Sequence, residues 1–196
     1  MAILTRSERE RLLQAIVYFA SHTEACGKIK LFKLLYLFDF EHFRQTGRSA
    51  TGLDYQAWKF GPVPIELMEE WEELGPDLGR LVRIVTERVI DYDRQSVKVA
   101  DGVQFDPEPF SPRQLRILDD LATRYRGTFS PAMIDVTHAQ NGAWDKVWQA
   151  GRGAHKPIPY ELAVGESDAL RDEVLKIAQE QAQYRAALQA ARRADD

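Results

Sequence analysis

Cysteine is almost absent from this chain of 196 residues, in which Cys26 stands alone. A single cysteine excludes an internal disulfide and an all-cysteine metal site, and it fits a reducing compartment. Positive charge is also scarce, because 26 Lys and Arg against 30 Asp and Glu give a net charge of −4. Non-specific nucleic-acid binding draws its energy from cations that neutralise phosphates. We therefore do not expect nucleic acid as a partner.

Long apolar runs are missing as well. The first ten residues are polar and lack the apolar centre of a signal peptide. The most apolar stretch, residues 29–43, is too short and too charged to span a bilayer, since it contains Lys30, Lys33, Asp39, Glu41 and His42. We expect no export, no membrane partner and a cytoplasmic location.

Motifs of catalysis are absent too. The chain has no Gly-rich nucleotide loop, no nucleophile elbow and no Cys-x-x-Cys pair. Asp39 and His42 lie three apart on a predicted helix, and His138 is the only plausible third metal ligand; a polar strip on a buried helix explains the same pattern. We predict no catalytic residue, no cofactor and no metal. The alternative is a small metal-dependent enzyme that uses Asp39, His42 and His138.

What is present is the composition of a globular domain, with 44% hydrophobic and 29% charged residues. Residues 7–22 have helical apolar spacing, and Ser7 with Glu10 has the spacing of a capping box. Residues 28–46 are apolar on almost every face and are followed by Gly47, which favours a helix end. This segment is predicted to be the central core helix.

The middle of the chain mixes extended and helical signals. Residues 53–60 carry three aromatic residues and look extended. Gly61-Pro62-Val63-Pro64 is predicted to be a rigid turn that leads into a helix over 65–74 with an acidic face, usually a solvated feature. Residues 81–92 and 95–105 are rich in Val and Ile and predict a small β-hairpin or meander, with Asp101-Gly102 as a turn signal.

Later segments read as helices again. Ser111-Pro112 and Ser130-Pro131 are helix starts, the second helix running to about residue 140, and residues 144–148 form a short helix. Residues 167–191 predict a long final helix with Asp168 at its positive end. Its four-three spacing resembles a coiled-coil seam, formed by Leu170, Val174, Ile177, Gln181, Tyr184, Leu188 and Ala191.

The predicted fold is therefore mainly α with a small β-hairpin or sheet (α+β). A compact helical domain over residues 1–166 surrounds the central helix. The helix over residues 167–196 either docks on that domain or binds a partner.

Three stretches together resemble the Panacea domain family of SocA-like antitoxins and GepA-like phage-associated proteins. They are a Lys-Leu-x-Tyr core helix, a glycine a turn later, and a Trp-x-x-Gly-Pro-x-Pro segment, here at 33–40, 46–48 and 55–64. Thr137-His138 and Ala143-Trp144 add a second match, in which Thr137 replaces the usual serine. The resemblance covers about residues 28–148; the helix after Ser167 lies outside it.

The resemblance implies an antitoxin that neutralises a cognate protein toxin by binding it, not an enzyme. It also implies that some members deliver the toxin to the protease ClpXP, which makes ClpX a second partner. Rigid turns with aromatic neighbours are typical of interface anchors, so we predict partner binding by Trp58, Lys59, Phe60, Pro62, Val63, Pro64, His138 and Trp144. A promoter-binding regulator is the other alternative, because the first fifty residues carry eight Lys and Arg against five Asp and Glu.

Overall fold

The computed structural model describes residues 4–89, 92–140 and 142–195, and it is mainly helical with two small antiparallel hairpins. The strands are β1 Tyr55–Trp58, β2 Gly61–Pro64, β3 Val82–Val89 and β4 Tyr92–Val99. Short 3₁₀ turns cover Gln149–Gly151 and Tyr160–Ala163. The α-helices are α1 Arg6–His22, α2 Lys28–Thr46, α3 Ile65–Glu69, α4 Leu78–Leu81, α5 Pro112–Arg124, α6 Ser130–Thr137, α7 Ala143–Trp148 and α8 Arg171–Asp195. The predicted fold class is confirmed.

Helix α2 is the centre of the core, as its apolar faces predict. It contacts α1, α5, α6 and β2, and Leu31, Leu34 and Phe38 have no solvent exposure. Gly47 ends it in the left-handed conformation with φ of 70°, which costs glycine little. The helix bounds agree with the prediction at both ends.

The N-cap of helix α1 lies two residues before the predicted cap. Thr5, not Ser7, is the N-cap, and it exchanges hydrogen bonds with Glu8 in a full capping box. Glu8 is 6% exposed and also forms an ion pair with Arg185 of α8. The capping box at Thr5 is favoured over one at Ser7 because the Glu8 carboxylate is buried and also pairs with Arg185.

The segment Gly61–Pro64 is a strand, so the predicted rigid turn at these residues is wrong. It pairs with β1 from Tyr55↔Pro64 to Trp58↔Gly61, and the turn lies at Lys59 and Phe60. The opposite edge of β1 bonds to residues 155–158. Strand β2 is therefore an edge, where prolines are tolerated because they need not donate to a further strand.

Helix α3 stops at Glu69 instead of continuing to residue 74. Arg9 of α1 binds Glu70 at 2.6 Å and Asp77 at 2.8 Å, and Gly75 N–H donates to Glu70. This ion-paired loop replaces the last helical turns. The predicted acidic face is thus partly used in an internal contact.

The second hairpin is confirmed, with β3 and β4 in register from Val82↔Val99 to Val89↔Tyr92. Asp101-Gly102 lies after β4 and is not the hairpin turn. Ser111 caps α5, as predicted, and the structure adds a capping box with Gln114. Helix α6 has Phe129 as its N-cap, in place of Ser130, and ends at Thr137, before the predicted end. Helix α7 confirms the short helix of residues 144–148.

Helix α8 begins four residues later than predicted. Asp168 does not lie at its positive end but accepts a hydrogen bond from Gly165 N–H. Val174 and Ala178 are buried with Phe43 of α2. Of the predicted seam, Val174 is buried, whereas Leu170 and Tyr184 are 60% and 61% exposed; its positions at Leu188 and Ala191 lie outside the described side chains.

Candidate functional site

Helix α2, the β1–β2 hairpin and the end of α6 meet around Lys33. Lys33 is 2% exposed, and its Nζ donates to the Pro62 carbonyl at 2.8 Å. Gly61 has a φ of +102°, and a Cβ there would lie 2.7 Å from Lys33 Nζ and 2.9 Å from Thr137 Oγ1. The β1–β2 hairpin can approach this closely only because residue 61 is glycine.

Lys33 is held without a carboxylate partner among the described residues. Burial lowers the pKa of its ammonium to about 7, because a charge removed from water favours its neutral form. At pH 7 such an amine is about half neutral, and a neutral amine is a potential nucleophile. Here the hairpin covers the amine, whose Nζ donates to the Pro62 carbonyl. Lys33 therefore holds the main chain of the hairpin, and we call this contact the Lys33 clamp.

Trp144 holds the other strand of the same hairpin. It is 4% exposed, and its indole Nε1 donates to the Trp58 carbonyl at 3.1 Å. His138 stacks on it with ring centroids 3.6 Å apart and an interplanar angle of 1°. Burial, followed by the charge of Lys33, lowers the pKa of His138. The neutral ring thus supports the indole, and its Nε2 has no hydrogen-bond partner among the described residues.

Six of the eight predicted contact residues lie in the β1–β2 hairpin, and the other two, His138 and Trp144, support it. They differ in exposure. Pro62, Val63 and Pro64 are buried in β2, and Trp58 is half-buried against His155, with ring centroids 4.8 Å apart. Only Lys59 and Phe60 are exposed. Phe60 is 60% exposed, and Lys59 Nζ lies 5.5 Å from its ring centroid. We call these two residues the hairpin tip.

The carboxylate of Asp39 is occupied by internal donors. It is fully buried and accepts hydrogen bonds from the Ala50 N–H, the Thr51 N–H and hydroxyl, and the Tyr55 hydroxyl at 2.5–2.9 Å. Burial raises its pKa to about 6 despite these donors. Asp39 therefore fastens the loop after α2 to the core.

The metal alternative is not supported by this arrangement. Nδ1 of His42 bonds to the Arg48 carbonyl at 2.8 Å, and His138 belongs to the stack on Trp144. Among the described residues, no group of three His, Cys, Asp or Glu side chains is placed to hold a metal ion. Asp39, His42 and His138 have separate structural contacts.

Sequence reasoning did not assign the buried lysines. Lys30 has no solvent exposure, and its Nζ donates to the Glu24 and Arg126 carbonyls, both at 2.8 Å. Burial lowers its pKa. The available signal was the presence of two lysines on a helix that is otherwise apolar on almost every face, since unpaired buried lysines are costly.

Comparison with known proteins assigns the motif-bearing region to a family. The sequence model of the family described as "Antitoxin SocA-like, Panacea domain" matches residues 31–145. No curated protein and no solved structure was found to match the chain. None of the helices in the described part of the chain combines the length and the apolar character needed to cross a bilayer. The matched region runs from α2 to α7 and includes the Lys33 clamp, the hairpin and Trp144, and the chain belongs to the SocA-like antitoxin family with the Panacea domain.

Proposed function

We propose that the protein is the antitoxin of a toxin–antitoxin pair and neutralises a cognate protein toxin by binding it directly at the hairpin tip. Membership of the antitoxin family supports the general role. The observation that carries the binding site is the exposure of Phe60, which is 60% accessible while the two strands that flank the tip are buried or half-buried. The role is one of binding and requires no catalytic residue.

The hairpin tip has two properties of an interface anchor. Phe60 is a large aromatic side chain beside a cation, and such residues carry much of the energy in protein interfaces. The backbone on either side of the tip is held by Trp144, at the Trp58 carbonyl, and by Lys33, at the Pro62 carbonyl. A surface that is already ordered loses little conformational entropy on binding.

Neutralisation can be tested by co-expression of the adjacent open reading frame with this protein in bacteria. We expect the neighbouring gene to arrest growth and the wild-type protein to restore it. Phe60→Ser should abolish the rescue, because loss of a central aromatic contact costs about 2 kcal/mol of binding energy or more. Phe129→Ser is the matched control, since Phe129 is 61% exposed but lies at the start of α6, outside the hairpin.

The outcomes separate the parts of the proposal. If both variants rescue growth equally, the hairpin tip is not the contact. If the adjacent gene does not arrest growth, the antitoxin proposal loses its basis.

Delivery to ClpXP is a second mode of action, in which the protein acts as an adaptor. An adaptor needs a further surface for ClpX, and α8 offers one with Tyr184, which is 61% exposed. Repetition of the rescue in a host without ClpX decides between the modes. Rescue that persists supports blocking alone, and rescue that is lost supports delivery.

A further inference from the structure

A groove of 610 Å³ lies between α2, α5 and the connection from α6 to α7. It adjoins the Lys33 clamp, because Thr137 lines the groove and its Oγ1 would lie 2.9 Å from a Cβ placed on Gly61 of the hairpin. Neither the sequence motifs nor the predicted contact residues identified it.

The floor of the groove is apolar. Tyr36 and Phe40 of α2 line it from one side, and Ile117 and Leu121 of α5 from the other. Each of these side chains is between 5% and 7% exposed. An occupant that presents apolar side chains here would remove further apolar surface from water, which is the main favourable term in association.

The rim of the groove is positively charged on a protein of net charge −4. Six charged residues line it: Arg44, Arg113, Arg116, Arg124, Glu41 and Asp120. Two of the arginines form ion pairs within the rim, Arg44 with Glu41 and Arg124 with Asp120, at 2.8 and 2.7 Å. The other two, Arg113 and Arg116, leave the rim with two positive charges in excess of its carboxylates.

These two arginines make few hydrogen bonds or ion pairs with the described part of the protein. Arg113 donates one hydrogen bond to the Gln45 carbonyl at 3.1 Å, and Arg116 has no hydrogen-bond or ion-pair partner among the residues that the structure describes. Both side chains are exposed on α5. Guanidinium groups bind carboxylates in a two-pronged geometry and are enriched in protein interfaces.

We propose that this groove binds an acidic segment of the toxin that also carries large apolar side chains. The charge complementarity of the rim, combined with the apolar floor, selects that chemistry. The inference rests on the proposed function, because the partner is the protein that the antitoxin neutralises. It adds a second contact region and predicts the composition of the toxin segment.

A displayed library of random 16-residue peptides, panned on the full-length protein, tests the groove without knowledge of the toxin. Arg116→Glu is the test variant and Arg80→Glu is the matched control, because Arg80 is exposed on α4, lies outside the groove and gives the same charge change. Peptides that distinguish wild type from Arg116→Glu should be rich in Asp and Glu with large apolar residues. Their affinity should fall by about tenfold or more in Arg116→Glu, change little in Arg80→Glu, and weaken with salt.

Co-purification of the adjacent gene product with the same two variants completes the test. Loss of that product in Arg116→Glu but not in Arg80→Glu supports the groove as the toxin site. Equal capture by both variants, with growth rescue intact, overturns the groove and leaves the proposed function standing. If the adjacent gene is harmless, the proposed function fails, and the peptide library alone tests the groove. The groove proposal is then overturned if no peptide distinguishes wild type from Arg116→Glu, or if the peptides that do so are neutral or basic.

Discussion

Asp39 shows how one buried residue can be mistaken for a catalytic one. Its pKa is raised to about 6 by burial, a change often seen in active sites. Its donors come from the loop after α2, at Ala50 and Thr51, and from Tyr55 at the start of β1, so the carboxylate anchors that loop to the core. The perturbed pKa here measures a structural cost and does not indicate a reaction.

Replacement of Asp39 by Asn should therefore lower stability strongly. The amide offers a single acceptor oxygen and turns two N–H donors towards other donors, which leaves buried groups unpaired. We expect a loss of about 3 kcal/mol in the free energy of unfolding, measured by urea denaturation. Asp101→Asn, at an exposed turn, should change it by about 0.5 kcal/mol or less. Equal effects of the two substitutions would contradict this account of Asp39.

Lys33 makes stability depend on pH in a defined direction. Its pKa is about 7 in the folded chain, against roughly 10.4 for an unfolded lysine. Between these values the unfolded chain binds more protons, so the contribution of Lys33 to stability rises with pH and declines as pH falls towards 7.

Denaturation at pH 6.5, 7.5 and 8.5 can check this sign. The free energy of unfolding of wild type, minus that of Lys33→Met, should increase with pH, by at most about 1.4 kcal/mol per pH unit. Lys59→Met provides the control on an exposed lysine. A difference that stays constant or shrinks across this range would show that Lys33 remains fully charged in the folded chain.

At the scale of elements, the sequence predicts best where one segment contains its own signals. The bounds of α2 follow from its apolar faces and from Gly47, and α5 follows from Ser111 and its proline. Strand β2 could not be predicted in this way, because Pro62 and Pro64 resemble a turn when read alone. Its strand character comes from pairing with β1, which is itself bound on its other edge by residues 155–158.

The candidate site was predicted in part for the same reason. The family motifs identified the hairpin and its neighbours, but exposure separates Lys59 and Phe60 from the residues that support them. The bonds of Lys33 to Pro62 and of Lys30 to Arg126 join residues 29 and 96 positions apart. No periodic pattern encodes such contacts, and the groove rim is likewise assembled from helices distant in the chain.

Helix α8 packs on the core with its first turns and is mostly exposed further along. Val174 and Ala178 are buried against Phe43. Over residues 182–187 every side chain is exposed except Arg185, which pairs with Glu8 of α1. Deletion of residues 167–196 should therefore lower stability by about 3 kcal/mol, through loss of this apolar contact. A chain that ends at Ala187 should lose less than about 1 kcal/mol.

Thermal unfolding of the two truncated chains tests the division. A melting temperature unaffected by the longer deletion would show that α8 is not part of the core. A large decrease from the shorter deletion would show that its last turns are.

At the scale of the whole molecule, charge decides between antitoxin and promoter-binding regulator. The excess of basic residues in the first fifty positions is used internally: Arg9 pairs with Glu70 and Asp77, Arg11 donates to the Ala50 carbonyl, and Lys30 and Lys33 are buried. These groups cannot neutralise phosphates without loss of the contacts that hold the fold.

We therefore expect no specific retardation of a fragment of its own promoter in a gel shift at about 0.15 M salt, where exposed charges are strongly screened. An unrelated DNA of the same length is the control. A shift of the promoter alone would favour the regulator alternative.

The two bonds that fix the first hairpin both end on carbonyl oxygens, those of Trp58 and Pro62. A carbonyl is present whatever side chain the residue carries, so these bonds do not depend on the identity of residues 59 and 60 between them. Residues 59 and 60 can accordingly be substituted while these two supporting hydrogen bonds stay in place. If the hairpin tip binds the toxin as proposed, changes at these two residues alone should alter which toxin is recognised.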